Sequence, residues 1–130
     1  MQCVYYRDPM GIEPVRTFLE ALPARKRAAI MNQLDRMNEQ EPGDPPLPFP
    51  WTSQVEGELR EFRAHYGEEH YRFLHRRSGN LFILLHAAAK RSGPLPPSAI
   101  QIAKQRWADF RTRMNAVPRV PPRAAGHDAP

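Results

Sequence analysis

The sequence predicts an α+β fold in the order β-α-α-β-β-β-α, with an N-terminal strand and a helical hairpin packed on a small antiparallel sheet. Three observations predict it. Apolar residues recur at helical spacing over residues 15–37 and again over residues 100–114. Between these regions, three strand-like segments follow one another with only short turns between them. A C-terminal helix and then a disordered tail complete the expected fold.

The N-terminal third predicts one strand and two helices. The segment "QCVYYRD" is rich in β-forming residues and "DPMG" ends it, so we expect a strand over residues 2–7. In "GIEPVRTFLEAL" one helical face carries Val15, Phe18, Leu19 and Leu22. In "PARKRAAIMNQLDRMNEQ" the corresponding stripe is Ile30, Leu34 and Met37. Because Pro23 leaves room only for a tight corner, the two helices should form a hairpin.

The middle of the chain predicts an extended loop and then an antiparallel meander. Residues 41–51, "EPGDPPLPFPW", contain five prolines, which remove backbone donors and fix φ. The strand-like segments are "GELREFRAHY", "EHYRFLHRR" and "NLFILLHAA". Alternation places Arg63 and Arg60 on opposite faces of the first of these strands. In the second, Arg72 lies on the face opposite Tyr71.

The C-terminal part predicts one helix and no further regular structure. A stripe of apolar residues in "PPSAIQIAKQRWADFRTRM" indicates a helix over residues 98–114. Ser98 followed by Gln101 resembles a capping box at its start. Residues 115–130 are rich in proline and lack an apolar period, so we expect a flexible tail after a single domain of residues 1–114.

Composition and charge limit the function classes. The 130 residues contain one cysteine, Cys3, and no segment of signal-peptide or membrane-helix type, so we expect a soluble cytoplasmic protein that does not enter a membrane. Net charge is −2 over residues 1–56, +3 over residues 57–97 and +4 over residues 98–130. This basic half favours a nucleic acid partner, although it also fits a simple need for solubility.

The order of elements and three motifs resemble the RelE/ParE superfamily of toxin–antitoxin toxins, specifically its HigB-like, phage-derived branch. The motifs are "VYYRDPMGIEPVRTFLEALP", then "VEGELREFR" with "HYRFLHR", and then "LLHAAAKRSGPLPPSAIQIAKQR". Together they run over residues 4–111. The chain departs from the pattern at Ala87 and Ala88, where relatives have a small residue and then an aromatic, and at His75, near the place of a Tyr or Phe.

The resemblance implies a ribosome-dependent endoribonuclease that cleaves mRNA. In that reaction the 2′-OH attacks the neighbouring phosphate, which requires a base, cations to stabilise the phosphorane and an acid for the leaving 5′-oxygen. No cofactor is expected, and the sequence offers no metal-binding pattern such as HExxH or His paired with Cys. The implied partners are a cognate helix-turn-helix antitoxin, in an oligomeric complex with the toxin, together with mRNA and the ribosome.

The candidate catalytic residues are Arg63, Arg72, His86 and Lys90. The two arginines could bind phosphate through bidentate contacts, or could form ion pairs with Glu61. His86 could transfer a proton, or could be a buried neutral histidine at the end of an apolar strand. Lys90 could stabilise the phosphorane or act as the base, or could be a solvated cation. Further candidate RNA contacts are Tyr71, Arg91, Arg60, Lys104 and Arg106, with a structural role in the core open for Tyr71.

Two other functions remain open at the level of sequence. The first is a non-enzymatic toxin or host-factor-binding protein, such as a ParE-like gyrase poison. The second is a decayed toxin that retains antitoxin binding, which the alanines at positions 87 and 88 suggest. The presence of Arg63, Arg72 and Lys90 together favours the nuclease, because ParE-type members typically lack this cationic set.

Overall fold

The computed structural model of the protein describes residues 1–89, 93–119 and 123–125. Its elements in chain order are β1 (Gln2–Tyr5), α1 (Pro14–Glu20), α2 (Ala24–Asn38), β2 (Thr52–Glu56), β3 (Leu59–Tyr66), β4 (Glu69–Ser78), β5 (Leu81–Ala89) and α3 (Pro97–Asn115). The predicted α+β class is therefore confirmed, and the order contains one strand more than the sequence indicated.

The strands form one mixed sheet in the order β1-β5-β4-β3-β2. The prediction placed the N-terminal strand on a small antiparallel sheet, whereas β1 joins the sheet itself and pairs in parallel with β5, from Gln2 opposite Leu81 to Tyr5 opposite Leu84. The remaining pairs are antiparallel, as short turns between consecutive strands require. Parallel pairing is possible for β1 because two helices and three other strands separate it from β5 along the chain.

Strand β2 is the element that the sequence did not indicate. Its five residues, "TSQVE", follow the proline-rich loop directly and include only one large apolar side chain, Val55. The strand forms by pairing with β3, where Thr52 lies opposite Phe62 and Ser53 opposite Glu61. Gly57, at a φ of 56°, makes the turn between the two strands. Pairing with a neighbour, rather than its own pattern, therefore determines this strand.

The sheet separates two apolar cores. The face covered by α1 and α2, here called the hairpin-side face, buries the predicted stripe residues Val15, Leu19, Ile30, Leu34 and Met37 against Phe62, Phe73 and Leu84. The other face, here called the α3-side face, packs Ala103, Phe110 and Met114 against Leu74, Ile83 and Leu85. Side chains that alternate along a strand thus point to two different cores. The same alternation decides toward which face of the sheet a polar strand residue points.

The ends of α3 agree with the prediction to within one residue, but its start differs chemically. Pro96 is the N-cap residue and Pro97 is the first helical residue, a position where the missing N–H is not needed. The helix has no side-chain cap, so the predicted capping box at Ser98 does not form. The ring of Pro97 fixes the first helical φ and provides the start signal instead.

Part of the predicted disordered tail packs on the fold. Ala124 and Ala125 are buried, Ala125 forms an antiparallel bridge with Tyr6, and the N–H of Arg7 donates to the carbonyl of Ala124 at 2.8 Å. The expectation of disorder is therefore wrong over residues 123–125. Two small side chains fit beside the end of β1, but a pair of alanines is too short to show any periodicity. The remaining tail residues 120–122 and 126–130 lie outside the described part of the chain.

Candidate functional site

The predicted cations of β3 and β4 lie directly opposite one another. Arg63 is paired in register with Arg72, and Arg72 with Ala88 of β5. The next row of the same face contains Glu61, Leu74 and His86, about 7 Å along the strands. Leu74 belongs to the α3-side core, so both rows lie on the α3-side face. The structure therefore brings Arg63, Arg72 and His86 to one side of the sheet.

Glu61 lies between the two arginines. Its Oε1 is 3.8 Å from Nε of Arg63 and its Oε2 is 3.8 Å from Nε of Arg72, and the Ser53 hydroxyl donates to Oε1 at 3.1 Å. Two like charges directly opposite on neighbouring strands repel, and this carboxylate offsets that repulsion. The ion-pair alternative for both arginines is thus realised, but only at long range. Glu61 Oε2 is buried, and no described residue forms a hydrogen bond with it.

The two arginines differ in their access to solvent. The side chain of Arg63 is 32% exposed, and that of Arg72 is 6% exposed. The backbone N–H of Arg63 donates to the carbonyl of Trp51 at 2.9 Å, which fixes this part of β3 beside the proline-rich loop. From that loop the ring of Phe49, itself 70% exposed, lies 5.2 Å from the Arg63 guanidinium. An incoming anion would therefore meet Arg63 first.

His86 is held beside an arginine of α3. Nη1 of Arg106 donates to the carbonyl of Leu85 at 2.7 Å and lies 3.4 Å from Nδ1 of His86. Because a guanidinium only donates, Nδ1 acts as the acceptor and the ring proton is on Nε2. Burial, and then the charge of Arg106, lowers the pKa of His86 below its ordinary value of 6.5. The imidazole is therefore neutral at pH 7, with Nε2–H as its donor.

Three further residues that were predicted to contact RNA have three different environments in the structure. They are Arg106, Lys104 and Tyr71. Arg106 is half-buried and positions His86, which the sequence did not indicate because the two residues are 20 positions apart. Nζ of Lys104 forms an ion pair with Glu56 at 2.8 Å, on the exposed surface. Tyr71 is buried in the hairpin-side core, where its hydroxyl donates to Glu69. Burial, and then this hydrogen bond, raises the pKa of Tyr71.

Arg60 also lies away from the other cations. Its Nη2 donates to Oγ1 of Thr52 at 2.9 Å, on the hairpin-side face. The structure therefore does not bring Tyr71 or Arg60 together with Arg63. Lys90 and Arg91 lie outside the described residues, just beyond the end of β5 in the sequence. Within the described residues, no group of three or more His, Cys, Asp or Glu side chains could hold a metal ion.

The sequence model of the family described as "Phage derived protein Gp49-like (DUF891)" matches residues 17–108. This match covers more than half of the chain. The protein belongs to this Gp49-like family. The family is one of toxin–antitoxin toxins related to RelE and HigB, and it is associated with toxin activity of the ribonuclease type. No curated protein matches the chain closely enough to add to this assignment.

The Gp49-like match runs from α1 into α3 and includes β3, β4 and β5. It therefore contains Arg63, Arg72 and His86 of the α3-side face. Within this region Ala88 lies beside Arg72 on the α3-side face, whereas Ala87 packs against the hairpin-side core. Position 88, where the resemblance led us to expect an aromatic, thus carries a small side chain next to Arg72. No helix in the described parts of the chain is long and apolar enough to cross a bilayer.

Proposed function

We propose that this Gp49-like protein is the toxin of a type II toxin–antitoxin system and that it cleaves mRNA on the ribosome. The observation that carries the proposal is the direct pairing of Arg63 with Arg72 on the α3-side face, one row from a neutral His86. Family membership supports the toxin and an antitoxin partner, for which we propose a helix-turn-helix protein in an oligomeric complex with the toxin. The proposed nuclease mechanism is argued from Arg63, Arg72 and His86 rather than from family membership.

The proposed reaction requires no metal ion. The 2′-oxygen of the RNA attacks the adjacent phosphorus, the bond from phosphorus to the 5′-oxygen breaks, and a 2′,3′-cyclic phosphate and a 5′-OH end result. Negative charge accumulates on the non-bridging oxygens as the phosphorane forms. Arg63 and Arg72 each present a planar fork of donors that suits these oxygens. Because their pairing with Glu61 is long, at 3.8 Å, a phosphate can replace the carboxylate as the closer partner of Arg63.

His86 serves as a hydrogen-bond donor in this scheme. With Nδ1 facing Arg106, the Nε2–H group can donate a hydrogen bond to a phosphate oxygen or to the leaving 5′-oxygen, which takes its proton from water. The same tautomer disfavours His86 as the base that removes the 2′-proton. We assign that role to Lys90, the remaining candidate, which would act as a base in its neutral amine form. Arg106 is then a positioning residue that keeps His86 neutral and oriented.

Dependence on the ribosome follows from the small number of acid–base groups. Such a site gains most of its rate from holding the scissile phosphate and the 2′-OH in line. The ribosome can hold mRNA in that conformation. Lys104 and Arg91 are the cations that we propose as contacts to ribosomal RNA or mRNA, and phosphate contacts of this kind weaken as salt concentration rises.

One observation favours a second candidate function. Arg72 is almost fully buried and already faces Glu61, so the arginine pair could be purely structural. Together with Ala88 beside Arg72, this arrangement suits a decayed toxin that retains the fold and antitoxin binding. A non-enzymatic toxin, such as a ParE-like gyrase poison, would use the same fold without RNA cleavage.

The proposal predicts codon-phased RNA cleavage that depends on Arg63. The protein would be expressed under tight control in bacteria, and the 5′ ends of mRNA would be mapped across the transcriptome. The variants Arg63→Ala and Lys90→Ala should each lower cleavage by about 100-fold or more, as loss of one transition-state donor does. Arg25→Ala, on the exposed start of α2, is the matched control and should cleave normally.

The same experiment separates the alternatives. Melting curves of the purified variants show whether any loss of activity reflects unfolding. Growth arrest with intact mRNA but blocked DNA replication would replace the nuclease with a gyrase poison. Normal growth, combined with binding of the antitoxin, would identify a decayed toxin.

A further inference from the structure

A concave site lies on the hairpin-side face, opposite the arginine pair. It is a pocket of about 570 Å³ between the end of α2, the proline-rich loop, the β2–β3 turn and the β4–β5 turn. Its wall includes Met37, Leu47, Thr52, Arg60, His75 and Phe82. The volume lies in the range of natural small-molecule sites, and it is too large for a bare phosphate ion.

The pocket contains a cation whose charge no described carboxylate balances. Nη2 of Arg60 donates to Thr52, whereas Nε of Arg60 is buried and has no hydrogen-bond partner among the described residues. No ion pair joins Arg60 to another residue within the described chain. A buried charged donor without a partner is costly, so its retention favours an anion that completes its contacts.

The two carboxylates at the pocket rim are occupied elsewhere. Glu58 accepts a hydrogen bond from Nη2 of Arg76 at 2.7 Å, and Oδ2 of Asp44 accepts one from the backbone N–H of Glu41 at 2.9 Å. Both residues are exposed to solvent, which screens their charge. Neither of them therefore neutralises Arg60 from within the pocket.

Besides Arg60, the polar side chain of Gln40 and the exposed Arg77, the wall has a large apolar part. Met37 and Phe82 are buried members of the hairpin-side core, and Leu47 packs against that core from the loop. His75 adds a neutral ring, since complete burial lowers its pKa to about 4. Sites for organic ligands typically combine such an apolar lining with a small number of placed polar groups.

We propose that this pocket binds a small organic anion, with its carboxylate, sulfonate or phosphate group on Arg60 and its apolar body against Met37, Leu47 and Phe82. The site is separate from the cationic α3-side face and does not depend on the proposed nuclease. Its ligand is defined by two requirements, one negative charge and one apolar body. An inorganic anion meets only the first of them.

The test uses 1-anilinonaphthalene-8-sulfonate, which carries a sulfonate on fused aromatic rings. Its fluorescence with the full-length protein should rise to a single saturable transition at a stoichiometry of one. Arg60→Met keeps the length of the side chain and removes the charge, and it should weaken binding about tenfold, as loss of one charge-assisted hydrogen bond does. Arg25→Met makes the same change on the exposed start of α2 and should bind as the wild type does. Inorganic phosphate should compete only weakly.

A second measurement covers the case in which Arg60→Met does not fold. In NMR spectra of the wild-type protein, the probe should shift the signals of Thr52, Phe82 and the Nε–H of Arg60. The Nε–H signals of Arg63 and Arg72 should stay in place. Equal affinity of a folded Arg60→Met variant would overturn the proposal. So would probe-induced shifts at the α3-side face without shifts in the pocket.

Discussion

His75 is a polar residue enclosed by the hairpin-side core. Its Nδ1–H donates to the carbonyl of Phe73 at 3.2 Å, and its ring lies edge-on to Phe82 with centroids 5.7 Å apart. Complete burial lowers its pKa from 6.5 to about 4. The native state therefore keeps this imidazole neutral at pH values where the unfolded chain already binds a proton.

This difference predicts that stability falls as pH decreases from about 6.5 to about 4. In that window the unfolded state binds one more proton than the native state, so the loss is about 1.4 kcal/mol per pH unit and about 3 kcal/mol in total. His75→Phe should remove this slope, leaving the smaller one from His86, whose pKa is also lowered. Urea unfolding at several pH values measures it, with exposed His70→Phe as the control. An unchanged slope in His75→Phe would contradict the assignment.

The sequence could predict the placement of a site residue only where that placement depends on the local strand pattern. Alternation along β3 and β4 placed Arg63 and Arg72 correctly, and the same alternation already put Arg60 and Tyr71 on the opposite face. Arg63 and Arg72 were expected to be catalytic, and Arg60 and Tyr71 were expected to contact RNA. The structure places these two pairs on opposite faces of the sheet. The contact of Arg106 with His86 depends on how α3 docks on β5, which no local pattern encodes.

At the level of elements, the segment at residues 123–125 should contribute measurably to stability. It provides one backbone hydrogen bond to Arg7 and buries two alanine side chains beside β1. Ending the chain after Arg119 should therefore lower the free energy of unfolding by about 2 kcal/mol. Ending it after Ala125 preserves these contacts and is the matched control. Urea denaturation of both proteins measures the difference, and equal stability of the two would show that the segment does not hold β1.

The elements predicted correctly are those with their own periodicity. Helices α1, α2 and α3 each carry an apolar stripe, and β3, β4 and β5 alternate or are apolar throughout. Strand β2 and the parallel pairing of β1 were missed because each depends on a partner strand. For β2 the partner is β3, and for β1 it is a strand 75 or more residues away in sequence. Sequence patterns report burial of a segment but not the identity of its neighbour.

At the level of the whole molecule, one sheet separates two cores that have no apolar residues in common. The hairpin-side core includes Trp51, which stacks on Phe62, and the α3-side core is flanked by Trp107, which stacks on Phe110. Strands β1, β3, β4 and β5 each contribute side chains to both cores. Loss of either core would expose one face of β3, β4 and β5, and a sheet exposed in this way is not expected to persist. The two cores should therefore unfold together.

The two tryptophans allow a direct test of this coupling. In a Trp51→Phe background, fluorescence reports only on Trp107 and thus on the α3-side core. Ile30→Val removes one methylene group from the fully buried interior of the hairpin-side core and should cost about 1 kcal/mol. If the molecule unfolds as one unit, the urea transition seen through Trp107 shifts by that amount and coincides with the transition seen by circular dichroism. A Trp107 transition that stays in place while the dichroism transition moves would show that each face of the sheet unfolds separately.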